Sequence, residues 1–133
     1  WFQWRCESKL RFCRICHGSD ALSLEIPGGM VDPGEAPVVS AARECLEESG
    51  FRASHLTSLG ILNPNPAVFN NRLHTFVAEN VVVDGDIQNT ATEQTEVVLV
   101  PVVELTNYLL DGRIDHALVA ATLWRYLYLT RVS

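Results

Sequence analysis

The sequence predicts a mixed domain of the α/β or α+β class, with strands and helices interleaved along the chain. Three observations carry that expectation. Short stretches such as Leu22–Ile26, LSLEI, alternate apolar and polar residues and read as strands. Two longer stretches, residues 36–49 and 115–129, have helical periodicity between recognisable start and stop residues. The chain has 133 residues, 47% hydrophobic and 20% charged, which suits one globular domain with a real core.

In chain order, residues 9–16, KLRFCRIC, alternate enough to form a strand. His17-Gly18-Ser19-Asp20 reads as a turn, followed by the strand at Leu22–Ile26. Residues 27–35, PGGMVDPGE, form a loop rich in glycine and proline. A helix is expected over about 36–49, with Pro37 in its first turn and Gly50 at its C-terminal cap. Val38, Ala42, Cys45, Leu46 and Ser49 are its expected packing face. Strands are expected at 56–62 and 72–78, separated by the polar loop 63–71. A turn and a polar loop occupy 80–95, and Glu96–Val103, EVVLVPVV, is a strongly apolar strand. A short helix follows over 104–110, ended by Asp111-Gly112. Asp115 is placed to cap a last helix over 115–129, with Leu118, Ala121, Leu123 and Leu127 toward the core. No internal repeat or low-complexity linker interrupts this order.

Charge and composition remove several function classes. The net charge of −6 and the lack of a basic run argue against nucleic acid as a partner. No apolar run approaches the roughly 20 residues that span a bilayer, so no membrane segment is expected. The start, WFQWRCESKLRF, lacks the apolar centre of a secretory signal, and the expected compartment is the cytoplasm. Cys6, Cys13, Cys16 and Cys45 are not grouped like a secreted disulfide framework. Cys13-Arg14-Ile15-Cys16-His17 has the spacing of a c-type haem attachment, or of half a zinc site with Cys6. No second ligand pair follows, and the only methionine, Met30, lies in the glycine-rich loop. The thiols are therefore expected to be small apolar groups on or beside a strand.

The stretch most informative about chemistry is AARECLEESGF, residues 41–51. On a helix Glu44, Glu47 and Glu48 share one face, where like charges repel by a few tenths of a kcal/mol per pair. Such a face is either simply solvated or built to receive positive charge. Three carboxylates are hard oxygen ligands suited to Mg²⁺ or Mn²⁺, and a glycine-rich loop lets backbone approach metal and phosphate. Together they suit hydrolysis of a diphosphate.

From Gly29 to Phe51 the residues are similar to the Nudix box, G-x5-E-x7-R-E-U-x-E-E-x-G-U with U apolar. Every fixed position is matched, with Cys45 and Phe51 in apolar slots. The resemblance implies a single Nudix-type domain over residues 1–133, an α/β/α sandwich around a mixed central sheet, and a metal-dependent pyrophosphatase. It implies Glu44, Glu47 and Glu48 as metal ligands, with the Gly28 carbonyl as a further one. Glu48 and Glu47 are then catalytic, Arg43 and Glu35 pair with each other or with a neighbour to hold loop against helix, and Gly29 and Gly50 serve geometry. A second reading of Arg43 is as a phosphate binder. In members acting on ADP-ribose, a base or further metal ligand often comes from a loop outside the box. Glu93, in Glu93-Gln94-Thr95-Glu96-Val97, is the candidate here.

LEIPGGMVDPGE resembles the ADP-ribose pyrophosphatase branch, which implies hydrolysis of ADP-ribose or a related nucleoside diphosphate sugar. The products would be a nucleoside monophosphate and a sugar phosphate. The branch commonly forms dimers, so a homodimer accompanies the resemblance. Asn65, Asn70, Asn71 and Arg72 in the loop NPNPAVFNNR could hydrogen-bond a ribose or phosphate, and Phe69 could stack on a base. His74 sits beside that loop, while His55 and His116 are expected at the surface. Arg14 is the candidate for an arginine that reaches the diphosphate from an early strand. The segment WFQWRCESKLRFCRIC matches the family poorly, so the N-terminal part reads as divergent or truncated. Two other readings stand beside this one. They are a Nudix pyrophosphohydrolase acting on a dinucleoside polyphosphate or nucleoside triphosphate, and a non-catalytic module that senses a nucleotide. Intact glutamates argue against the last.

Overall fold

The structure is a computed structural model. It describes the backbone of residues 2–6, 9–17, 22–88 and 93–132, and the side chains of 23–88 and 95–131. Most of the expected turn at 17–20 lies outside these residues, as do the side chains of Cys6, Cys13, Arg14, Cys16 and Glu93.

The strands build a mixed sheet. Strand β1, Phe2–Cys6, turns antiparallel into β2, Lys9–His17, with Cys6 opposite Lys9. On one edge β2 also pairs with β3, Leu22–Glu25, and along its whole length it pairs antiparallel with β8, Glu93–Pro101. Strand β1 lies parallel to β6, Leu73–Glu79, which pairs antiparallel with β5, His55–Leu62. The order is β3-β2-β1-β6-β5, with β8 on β2. A bulge at Ser58/Gly60 is made by Gly60 at φ 113°, a conformation that suits glycine.

Two features of this sheet differ from the expectation. Strand β8 begins at Glu93, not Glu96, and ends at Pro101, not Val103. The polar residues Glu93-Gln94-Thr95 are carried into the ladder by β2, because backbone groups pair whatever the side chain. Beyond Pro101 the chain turns into a 3₁₀ segment at Val102–Glu104 and then helix α2, Leu105–Leu110. A second small sheet, β4 at Phe51–Arg52 with β7 at Val82–Val83, lies in segments too short to show periodicity.

Successive residues of β6 point to opposite faces. Phe76 and Ala78 pack with Ala41, Cys45 and Val81 under helix α1, Pro37–Ser49. Val77 packs on the other side with Val100, Leu105, Val119, Leu123 and Tyr126, under α2 and helix α3, Ala117–Val132. The molecule is therefore an α/β/α sandwich around a mixed sheet.

The buried faces of the helices are shifted from the expected ones. Helix α1 buries Ser40, Ala41, Cys45 and Ser49, while Val38 is 41% exposed and Ala42 and Leu46 are half-buried. The row Ala41, Cys45, Ser49 is made of small side chains, so the helix lies close to the sheet. Helix α3 buries Val119, Thr122, Leu123, Tyr126 and Leu127, and Ala121 faces outward. Its first turn is capped by His116, not Asp115: the Leu118 N–H donates to His116 Nδ1 at 3.3 Å. Among the described residues no helix is long and apolar enough to cross a membrane.

Candidate active site

The site is built where the loop after β3 docks on α1. Ile26 and Pro27, at the loop's start, are fully buried and anchor it in the core. Pro37 opens the helix with a pre-set φ, and Gly50 closes it at φ 72°, its N–H donating to the Leu46 carbonyl at 2.8 Å. Between these ends the loop folds back along the glutamate face. The Gly28 N–H donates to Glu48 Oε2 at 3.1 Å, and the Ser40 hydroxyl donates to the Met30 carbonyl at 3.1 Å. Gly29 lies so close to Glu44 that an added methyl group would collide with its carboxylate. A side chain at Gly29 would thus push the Glu44 carboxylate from its place; the φ of Gly29 lies outside the left-handed region, so close approach and not backbone conformation is what favours glycine here.

Arg43 ties this arrangement together. Its Nε and Nη2 donate to Glu35 Oε1 and Oε2, both at 3.1 Å, a bidentate fork. Its Nη1 donates to Glu44 Oε1 at 2.8 Å and to Glu47 Oε2 at 3.3 Å. Nη2 also reaches the Met30 carbonyl at 3.2 Å. One guanidinium thus joins loop, helix and two of the three glutamates. Hydrogen bonding to Arg43, and then to the Asp32 N–H, holds the Glu35 carboxyl below the usual carboxylate range. The same bond to Glu35, with that to Glu44, raises the already high Arg43 value. Below the face, burial pushes the Cys45 thiol up to about 12, so it is a packed neutral group.

The donor types fit a hard divalent cation: three carboxylates lie on one helix face, with the glycine loop held against Glu48 by the Gly28 N–H. Glu44 side-chain exposure is 14% and that of Glu47 is 36%, so both are reachable from solvent at the loop's edge. Among the described residues no three acidic, histidine or cysteine side chains converge as a ready cage. Arg43 Nη1 stands between Glu44 and Glu47, and supplies there the positive charge that relieves their repulsion.

Beside Gly29 a cavity of about 320 Å³ opens between the first turns of α1, the start of β6 and Leu118 of α3. Asn71, Arg72 and His74 line it, together with Ser40 and Phe76. Asn65 and Phe69 do not: Phe69 is 61% exposed, and the Asn65 carbonyl accepts the Val68 and Phe69 N–H groups in a turn. Arg14 and Glu93 are placed by backbone alone, Arg14 opposite Glu96 and Glu93 opposite His17 at one end of the β2–β8 ladder. Ser40 and the Met30 carbonyl, which also anchor Arg43, are not marked in the sequence. A serine one turn before an arginine carries no such signal by itself.

The NUDIX domain family model matches residues 5–123. The chain belongs to the Nudix family. Among curated relatives, this Nudix chain is 34% identical over 96 residues to a CMP-5'-(N-acetyl-N-hydroxy-3-aminopropyl)phosphonate hydrolase of Streptomyces rubellomurinus. That match covers 71% of the chain and 46% of the relative. It is 37% identical over 60 residues to an ADP-ribose pyrophosphatase of Bacillus subtilis, covering 45% of the chain and 32% of that protein. The chain thus aligns with less than half the length of these curated relatives. A solved structure of an ADP compounds hydrolase superposes with a TM-score of 0.85 at 23% identity, over 98% of this chain and 70% of that one. This likeness shows the Nudix fold.

Proposed function

We propose that the chain hydrolyses the diphosphate bond of ADP-ribose or a related nucleoside diphosphate sugar, with Mg²⁺ or Mn²⁺ as cofactor. The products are a nucleoside monophosphate and a sugar phosphate. The observation that carries this reading is the docking of the glycine loop on the carboxylate face, with Gly28 on Glu48 and Gly29 against Glu44. Glu44, Glu47 and Glu48 would hold the cation with the Gly28 carbonyl. Bound there, a divalent cation neutralises diphosphate charge and makes water a better nucleophile. Gly29 keeps the approach to Glu44 free of side-chain atoms. Arg43 fixes Glu44 and Glu47 relative to the loop, so the carboxylates are oriented before substrate arrives. Water attacks one phosphorus in line, its proton passes to a carboxylate, and the bond to the bridging oxygen breaks. Glu93 and Glu48 are the candidates for that base. The ADP-ribose branch is supported by LEIPGGMVDPGE and by the likeness to the B. subtilis protein named for that substrate.

The test is incubation with Mg²⁺ and ADP-ribose, ADP-glucose, a dinucleoside polyphosphate and a nucleoside triphosphate. Phosphate released by added phosphatase from the sugar compounds and pyrophosphate from the triphosphate are measured. Release from ADP-ribose is expected. No turnover of any compound would sink the enzyme reading, and turnover of the triphosphate alone would sink the substrate choice. Glu48→Gln should lower turnover by about a hundredfold or more while circular dichroism stays unchanged. Near-wild-type rates in that variant would mean that Glu48 is not a ligand.

A further inference from the structure

Resting on the diphosphate-hydrolase reading, we propose that the cavity beside Gly29 is the subsite for the base-free half of the substrate, a sugar phosphate. Arg72 and His74 are its specificity-determining residues. Three observations converge. The first is continuity: Gly29 lines the cavity and at the same time touches the Glu44 carboxylate, so a group seated here is one step from the glutamate face.

The second is the chemistry of the cavity's polar wall, where side chains are free to meet a ligand. The chain carries ten basic against sixteen acidic residues, and its described arginines are largely engaged. Arg43, Arg52 and Arg113 are in ion pairs, and Arg125 donates to the Leu59 carbonyl. Arg72 is exposed and has no ion pair or hydrogen bond with any described residue, so its guanidinium is available at the mouth of the cavity. Asn71 and His74 beside it also carry side chains without a described partner. A guanidinium, an amide and an imidazole around one cavity match a phosphate and its neighbouring hydroxyls. Ser40, on the opposite wall, is already committed to Met30 and Arg43 and adds no free group. The first turns of α1 border the same space and add a positive dipole end.

The third observation is what the cavity lacks. A nucleobase is usually held by an accessible aromatic face. Phe76, the aromatic ring in the wall, is 8% exposed and packed among Ala41, Cys45 and Ala78, and Phe69 stands outside. Among the described residues the cavity offers donors for a phosphorylated sugar, and its one phenyl ring is buried.

Ribose 5-phosphate, adenosine monophosphate and inorganic phosphate are titrated into the metal-free chain, following the His74 ring signals by NMR, assigned with His74→Gln. Ribose 5-phosphate should shift them more strongly than inorganic phosphate, and Arg72→Gln should weaken its binding about tenfold. Adenosine monophosphate affinity should change less than twofold in Arg72→Gln. Equal shifts from adenosine monophosphate, equal binding of inorganic phosphate, or unchanged affinity in Arg72→Gln would each overturn the assignment. The two proposals fail separately. Turnover of ADP-ribose with no ribose 5-phosphate response sinks the subsite alone. A ribose 5-phosphate response with no diphosphate turnover sinks the hydrolase reading and leaves a sugar-phosphate site.

Discussion

Arg43 is the residue on which the site turns, because it makes three carboxylates answer to one group. Glu35 is its principal partner, and its folded-state value lies below the ordinary 4.5. A carboxyl depressed in this way stabilises the fold above its unfolded value, and that contribution is lost as pH falls through the depressed one. Wild-type protein should therefore lose part of its stability on acidification below about 4.5, and Glu35→Gln should show a shallower loss over the same window. Urea midpoints measured from pH 7 to pH 3 check this; parallel curves for the two proteins would show that the pair contributes nothing. Residue identity alone made the Arg43–Glu35 partnership expected through the family resemblance. The contacts to Met30 and Ser40 depend on how the loop folds back and had no mark in the chain.

At the scale of elements, α1 joins sequence to site most directly. The box residues lie in one loop and one helix, so their spacing along the chain is already their spacing on a face. The helix ends where Gly50 takes a left-handed conformation, and an added Cβ would stand 2.5 Å from the Gly85 carbonyl oxygen. Gly50→Ala should cost about 1–2 kcal/mol from backbone strain, with more from the clash. Urea unfolding measures it, and a cost well under 1 kcal/mol would mean that Gly85 moves aside freely. Helix faces were less legible. Val38 fitted an apolar stripe yet lies off the sheet, because the small residues Ala41, Cys45 and Ser49 form the face by which α1 approaches; on α3, Ala121 is likewise exposed while Thr122 is buried. The pairs β4–β7 and β1–β6 were invisible for another reason: a two-residue strand has no period, and a parallel partner lies far along the chain.

Over the whole molecule the net charge of −6 and the glutamate face bear on stability together. A cation that binds the folded chain and not the unfolded one stabilises it by mass action, about 2.7 kcal/mol at a hundredfold excess over Kd. Millimolar Mg²⁺ should therefore raise Tm relative to EDTA, and the double variant Glu44→Gln, Glu47→Gln should lose that response. Equal shifts in the two proteins would place the cation elsewhere. By itself the sequence determined the class of fold, the carboxylate helix and the glycine loop, because those features are local and their order survives folding unchanged. Only the tertiary structure decided the cavity beside Gly29. Its walls come from the loop after β3, from α1, from the start of β6 and from α3, and no spacing along one chain records that they meet.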